Sequence, residues 1–291
     1  MLEPAVRKTL PASVRRIIRR IAGRGYSWKR NMSVSLLRMK ARGLEPGSQI
    51  RCSDYIVRVN DGLSFYIQYK DIFVNRIYHF QAKDSEPIIL DCGSNIGISI
   101  LYFKHVYPTA RIIAFEPDPV IFPYLQENVT RNGLQDVKLI QAALAPHEGK
   151  FTLWSDGKYG SFVTAQTSGD IPRGWTRHDV KTVRLREYLD QPVDFLKMNI
   201  EGAEYEVLAD SAERLRMIRE MVLEYHHLPR VPQSLHGILT ILHEQGFDFL
   251  INDFDSETNG SVLTPIHADT RNVLLPSHIR TPLGLGCRRS H

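Results

Sequence analysis

Ile88-Ile-Leu-Asp-Cys-Gly-Ser-Asn-Ile-Gly97 decides the fold. Its apolar start reads as a buried strand, Gly93 and Gly97 break the chain into a tight turn, and Ile96 onward opens a helix. The next apolar run, Arg111-Ile-Ile-Ala-Phe-Glu116, is a second strand closed by a carboxylate. An ionised carboxylate is acceptor-only and has two oxygens, so Glu116 can hold both hydroxyls of a ribose. Asp91 either contributes to the ligand pocket or shapes the loop. A dinucleotide would require a second glycine where Asn95 stands, so that the backbone meets the pyrophosphate. S-adenosylmethionine carries no phosphate, and its sulfonium suits an acidic or carbonyl-rich pocket. It is the expected cofactor, with NAD as the rival.

Outward from this loop the pattern alternates strand and helix, which predicts a mostly parallel sheet with helices on both faces. The first strand is expected over Pro87 to Leu90, and a helix from Ile96 to about Val106. A second helix, capped by Asp118 with Pro119 at its first position, presents Ile121, Leu125 and Val129 on one face and stops at Asn132-Gly133. Further strands are expected over Val137 to Ala142, Asp194 to Ile200 and within Met217 to Tyr225. A helix from about Gln233 to Gly246 follows, and then Phe247 to Ile251 with segments near Val262 and Asn272 for a closing hairpin. Residues 146–186, rich in Gly, Ser, Thr and Asp, read as short strands and loops that shape a site. Before the sheet, Tyr55 to Asn60 and Leu63 to Tyr69, joined by Asp61-Gly62, read as a β-hairpin. The expected division is a basic, helix-capable arm at 1–43, a hairpin lead-in at 44–86 and the cofactor-binding domain at 87–291.

Charge is distributed unevenly. The net +5 combines a +11 arm (12 Lys/Arg and Glu3 within residues 1–42) with a −6 remainder. Val14, Ile17, Ile18 and Ile21 lie at helical spacing among arginines, which fits either an anionic-membrane anchor or a solvated helix packed on its own domain. Arginines interrupt every apolar run of the arm, so neither a secretory signal nor a membrane span is expected. No nucleic-acid recognition motif accompanies the charge, and oligomeric state is not encoded in any motif. Cys52, Cys92 and Cys287 have no metal or disulfide spacing, which points to a reducing, cytoplasmic setting, with peripheral membrane contact through the arm.

Asp91-Cys-Gly-Ser-Asn-Ile-Gly97, Ala114-Phe-Glu-Pro-Asp118, Glu127-Asn128 with Asn132-Gly133, and Leu196-Lys-Met-Asn-Ile-Glu-Gly-Ala-Glu204 together resemble the FkbM family of methyltransferases. The resemblance covers roughly residues 55–250. It implies a class I, Rossmann-like fold, with a seven-stranded sheet ending in an antiparallel hairpin. It also implies O-methylation of a hydroxyl on a sugar, glycan or natural product. Asp91, Gly93, Asn95, Gly97 and Glu116 would bind S-adenosylmethionine. Two positions depart from the family. Asn199 stands where the family carries Asp, and Ala145-Pro146 replaces a Ser-Asp pair, which shifts adenine recognition to Gln141, Ala142 or apolar walls.

Methyl transfer to a hydroxyl requires a positioned base. The candidates at the ends of the fourth and fifth strands are Asn199, Glu201, Glu224, His226 and His227, although Asn cannot act as a base at neutral pH. Strand alternation lets at most one of the two histidines face the pocket. Glu201 and Glu204 also read as first-turn helix acids. A metal held by Glu201, Glu224 and a histidine has no diagnostic spacing, so metal-independent transfer is expected. Trp154, Tyr159, Phe162 and Trp175 read as stacking surfaces for an acceptor or as packing under a loop. The alternatives to an O-methyltransferase are a non-catalytic binding protein that keeps this fold and a nicotinamide-dependent oxidoreductase.

Overall fold

The computed structural model describes residues 34–158, 161–164, 173–226, 234–251 and 263–269. Among the described residues, seven strands form the central sheet: β3 (Ile88–Cys92), β4 (Arg111–Phe115), β5 (Val137–Ile140), β10 (Val193–Met198), β11 (Ile218–His226), β12 (Asp248–Ile251) and β13 (Leu263–Asp269). Their order is β12-β13-β11-β10-β3-β4-β5. β13 runs antiparallel to β11 and β12, and the other neighbours are parallel. This is the Rossmann-like, doubly wound arrangement that the family resemblance implies. The chain builds outward from β3 to β5, then returns to place β10 on the other side of β3. That reversal is the switch point at which ligands bind in open α/β sheets, outside the carboxyl ends of the strands.

Both faces of the sheet are covered, so its strands read as continuous apolar runs. Ile89, Phe195 and Val222 point into one core, while their neighbours Leu90, Leu196 and Leu223 point into the other. Among the described residues, the α-helices are α1 (34–41), α2 (Gly62–Tyr69), α3 (Ile98–Val106), α4 (Phe122–Arg131), α5 (Glu204–Ser211) and α6 (Leu235–Glu244). The first core takes residues of α3 and α4, the second those of α5 and α6. A smaller sheet of order β6-β9-β7-β8 occupies the site-shaping region, from β6 (Ala143–Leu144), β7 (Gly149–Ser155), β8 (Ser161–Thr164) and β9 (Thr176–Val183).

Two local expectations are corrected. A hairpin does precede the sheet, but it joins β1 (Gln49–Cys52) to β2 (Tyr55–Arg58), with Ser53 in the left-handed region at its turn. Leu63 to Tyr69 is helix, not strand. Asp61 is extended and its side chain accepts from the Ser64 amide at 2.8 Å, so Asp-Gly acts here as an N-cap and first helical residue. A Cβ on Gly62 would lie 1.9 Å from the Ala41 carbonyl oxygen, so that position admits only glycine against the end of α1. The helical spacing also lines up Phe65, Tyr69 and Phe73, whose rings lie 6.0 and 5.0 Å apart in succession. Asp61→Ala is expected to cost about 0.5–2 kcal/mol, measurable by denaturant unfolding; an unchanged midpoint would contradict the capping role.

The second correction concerns Asp118. Its side chain caps a turn, accepting from Val120 at 2.7 Å, and α4 proper begins only at Phe122. As expected, Ile121, Leu125 and Val129 are buried, and Gly133 is left-handed after the helix. Asn128 and Asn132 of the family pattern clamp α4 to the backbone of β2 at Arg58 and Ile56, as a missing strand would. The lead-in therefore belongs to the first core: Val57, Phe65, Ile72, Tyr78 and Phe80 pack there, with Phe80 stacked on Phe195 at 4.4 Å.

Candidate active site

One pocket opens at the carboxyl ends of β3, β4 and β10. Gly93 to Asn95, Glu116 to Asp118 and Asn199 to Glu201 line it. Ala142 to Leu144, Phe115 and Leu153 supply an apolar wall, while Gln68, Asp71, Ile72, Ile77 and Tyr78 enter from the lead-in.

The glycine turn is held by backbone geometry. Gly93 has φ +84°, and a Cβ there would fall 1.8 Å from the Asn199 carbonyl oxygen. This close approach joins the turn after β3 to the end of β10. Asn95 is also left-handed; its side-chain oxygen accepts from its neighbour Ile96 at 2.8 Å and from Gln68 at 3.0 Å. Glu116 accepts from the Asn95 amide at 2.8 Å and from the Asp118 amide at 2.9 Å, one bond to each carboxylate oxygen. Each oxygen retains acceptor capacity for a ribose hydroxyl. Burial pushes the Glu116 carboxyl up to about 7, against the hydrogen bonds that hold it.

Asp91 and Gly97 support the pocket without lining it. Asp91 is fully buried, accepts from the Ser99 hydroxyl at 2.5 Å and lies 3.2 Å from the Lys197 ammonium. Register explains the pair, because Lys197 stands directly beside Asp91 on the neighbouring parallel strand. Lys197 also donates to the carbonyls of Cys92 and Gly93, which fixes the start of the turn. Gly97 packs against α4, where an added Cβ would meet Leu125 at 2.8 Å. Gln141 is exposed and outside the lining, whereas the neighbouring Ala142 is buried in it. Ser155 donates to Asp118 beside the apolar wall.

At the other end of the pocket, Asn199 donates to Glu224 at 3.0 Å, and Tyr78 donates to the other oxygen of Glu224. Asn199 is thus a holder of Glu224, not a base. Its own buried side-chain oxygen has no hydrogen-bond partner among the described residues. Glu201 lines the pocket with its side chain 24% exposed. Burial, reinforced by Glu204 and Glu224, pushes the Glu201 carboxyl up to about 7. His226 is buried outside the lining. Its Nδ1 lies 3.1 Å from Glu204, and its Nε2 lies 3.7 Å from Glu201. Burial opposes its charge, but Glu201, Glu204 and Glu224 outweigh burial and push the imidazole up to about 9. His227 and Tyr159 fall outside the described residues, as does the side chain of Phe162; Trp154 and Trp175 are not part of the lining.

Lys197, Gln68, Asp71 and Tyr78 were not singled out from the sequence. Lys197 sits within the quoted Leu196-Lys-Met-Asn run, where a lysine interrupting a buried strand is the one available signal. Asp71 belongs to a π-helical turn, Lys70–Val74, that continues α2. Such turns are frequent at functional sites. Burial raises the Asp71 carboxyl above its ordinary range.

The donor set fits S-adenosylmethionine. A two-oxygen acceptor stands at one end, an apolar wall beside it, and Asp71, Glu201 and Glu224 give the other end the negative character a sulfonium favours. Residues 91–249 match the family model described as Methyltransferase FkbM domain. The chain is 32% identical over 212 residues to methyltransferase sdnD of Sordaria araneosa, covering 62% of this chain and 81% of that protein. It is 29% identical over 196 residues to 2-O-methyltransferase NoeI of Sinorhizobium fredii, covering 61% and 79%. It is 26% identical over 226 residues to 31-O-demethyl-FK506 methyltransferase FkbM of Streptomyces tacrolimicus, covering 66% and 85%.

Proposed function

This chain belongs to the FkbM family of methyltransferases, and on that premise we propose that it transfers a methyl group from S-adenosylmethionine to a hydroxyl of a sugar, glycan or natural-product acceptor, with Glu201 as the base. The observation that carries this reading is that Glu116 and Glu201 line one and the same pocket, at opposite ends. Bound S-adenosylmethionine supplies an electrophilic methyl group on a cationic sulfur. Glu116 would accept the ribose hydroxyls, the Gly93 to Asn95 turn gives the backbone close approach, and Ala142 to Leu144 with Leu153 would exclude water around the adenine. Glu201 would accept the proton as the acceptor O–H bond breaks; the oxygen's electron pair would form the new bond to the methyl carbon, and the methyl–sulfur pair would stay with sulfur, leaving S-adenosylhomocysteine. A group whose carboxyl sits near 7 is suited to that exchange at neutral pH. The names of the relatives from Sinorhizobium fredii and Streptomyces tacrolimicus, one a 2-O-methyltransferase and one acting on a 31-O-demethyl compound, support oxygen as the acceptor atom.

Labelled-methyl transfer to panels of free sugars, oligosaccharides and hydroxylated natural products tests the proposal. Label in an alkali-stable ether supports it. Label only on amines, or on nothing while the cofactor binds, would overturn oxygen transfer in favour of another acceptor or of a non-catalytic binding role.

The arm extends this reading to location: a cytoplasmic enzyme touching an anionic membrane surface. Among the described residues, no helix is long and apolar enough to cross a membrane. Ala41 of α1 is buried in the first core, with Val34 and Leu37 against it, so a clean truncation ends at residue 33 and not at 42. Removing residues 1–33 is expected to leave cofactor affinity unchanged and to reduce sedimentation with phosphatidylserine-containing vesicles at low salt. Equal sedimentation with and without the arm would contradict the membrane contact.

A further inference from the structure

The buried side of the β10–α5 turn, behind Glu201, holds a cluster that methyl transfer as drawn above does not use. The turn between Met198 and α5 contains two successive left-handed residues, Glu201 at φ +58° and Gly202 at φ +102°. A non-glycine residue in that region persists only where its surroundings over-determine it. Glu204 does so here: one carboxylate oxygen accepts from the amides of Ile200 at 3.3 Å and Gly202 at 3.1 Å. The same oxygen meets Nδ1 of His226 at 3.1 Å, and the other ring nitrogen of His226 faces Glu201 at 3.7 Å. His226 and Glu204 are 8% and 1% exposed, so water does not intervene freely.

Carboxylates only accept hydrogen bonds, whereas a neutral imidazole has one N–H and one lone pair. With Glu204 within hydrogen-bond reach of Nδ1 and Glu201 at ion-pair distance from Nε2, two ionised carboxylates favour a ring that carries a proton on both nitrogens. We infer that His226 is a fixed imidazolium that positions Glu201 and favours its ionised form, in a buried Glu204–His226–Glu201 array, and is not itself the proton acceptor. The inference rests on the reading of Glu201 as the base. Its chemistry balances without a further relay: the acceptor proton passes to Glu201, and His226 neither gains nor loses one. Glu201 on the turn, Glu204 on α5 and Glu224 on the same strand are the ionisable groups acting on His226, while Lys197 on β10 acts on Glu201. One buried cation among three carboxylates limits the repulsion that would otherwise leave Glu201 protonated. Because its carboxylate neighbours hold His226 above its ordinary 6.5, the raised imidazole contributes stability that is present below that pH and is lost as pH rises through about 9.

Imidazole NMR of the full chain tests the inference without any acceptor, with the His226 signals identified by their loss in His226→Gln. Both ring nitrogens are expected to be protonated at neutral pH, and the titration midpoint is expected to fall by about one pH unit or more in Glu201→Gln and again in Glu204→Gln. A purely structural histidine would not move in this way. A ring that is neutral at neutral pH, or a midpoint unmoved by Glu201→Gln, would overturn the array, even if Glu204→Gln proved too unstable to measure. Calorimetry with S-adenosylmethionine on the same proteins separates the two claims: binding with a neutral His226 sinks the array alone, and no binding with a cationic His226 sinks the methyltransferase reading.

Discussion

Glu201→Gln is expected to lower kcat by roughly 10²–10⁴-fold, the range a positioned general base contributes, with a much smaller loss of affinity for S-adenosylmethionine. The substitution keeps the side chain's shape and the backbone's left-handed conformation, so the change isolates the ability to take a proton. The pH profile gives a second handle. Burial holds the Glu201 carboxyl up at about 7, so wild-type kcat should climb as pH rises through that region and the carboxylate becomes available. That limb should be absent from the residual activity of Glu201→Gln. A loss confined to KM, or an unaltered limb, would move the base elsewhere, with Glu224 next in line because it lines the same end of the pocket.

Glu116→Ala is expected to weaken S-adenosylmethionine binding by at least about 100-fold. Two hydrogen bonds from ribose hydroxyls to a charged acceptor are worth about 1.5–3 kcal/mol each, and every 1.4 kcal/mol is tenfold in affinity. The substitution also strips the Asn95 and Asp118 amides of their partner, which loosens the loop that the cofactor lies against. Because burial lifts the Glu116 carboxyl to about 7, wild-type affinity should tighten as pH rises through neutrality, and Glu116→Ala should lose part of that dependence. Glu201 titrates in the same range and accounts for the part that remains.

What could be read from the sequence was local. A glycine turn between a buried strand and a helix needs no distant partner to be recognised, and Asp91 to Gly97 folds as such a unit. The strand and helix periods then dictate a parallel sheet, and Glu116 falls at a strand end by simple counting. What escaped depends on partners far along the chain. Asp91 looked like a possible pocket residue, but Lys197 claims it, and that pairing exists only once β10 lies beside β3. His226 looked like a base, but Glu204 and Glu201 hold it from another element. Asp61-Gly62 satisfies both a hairpin turn and a helix N-cap. The choice between them is made by Phe65 and Tyr66 reaching the core and by Ala41 pressing on Gly62. That local ambiguity hid Gln68 on α2 and Asp71 on the π-helical turn that continues it, and with them Tyr78 in the loop that follows, all of which line the pocket.

Titration calorimetry of the full chain with S-adenosylmethionine, run beside Glu116→Ala, tests the central claim most directly. The account predicts one molecule bound per wild-type chain and a loss of about 100-fold or more in the variant. A folded wild-type protein that gives no binding heat, or a variant that binds as tightly as wild type, would contradict it.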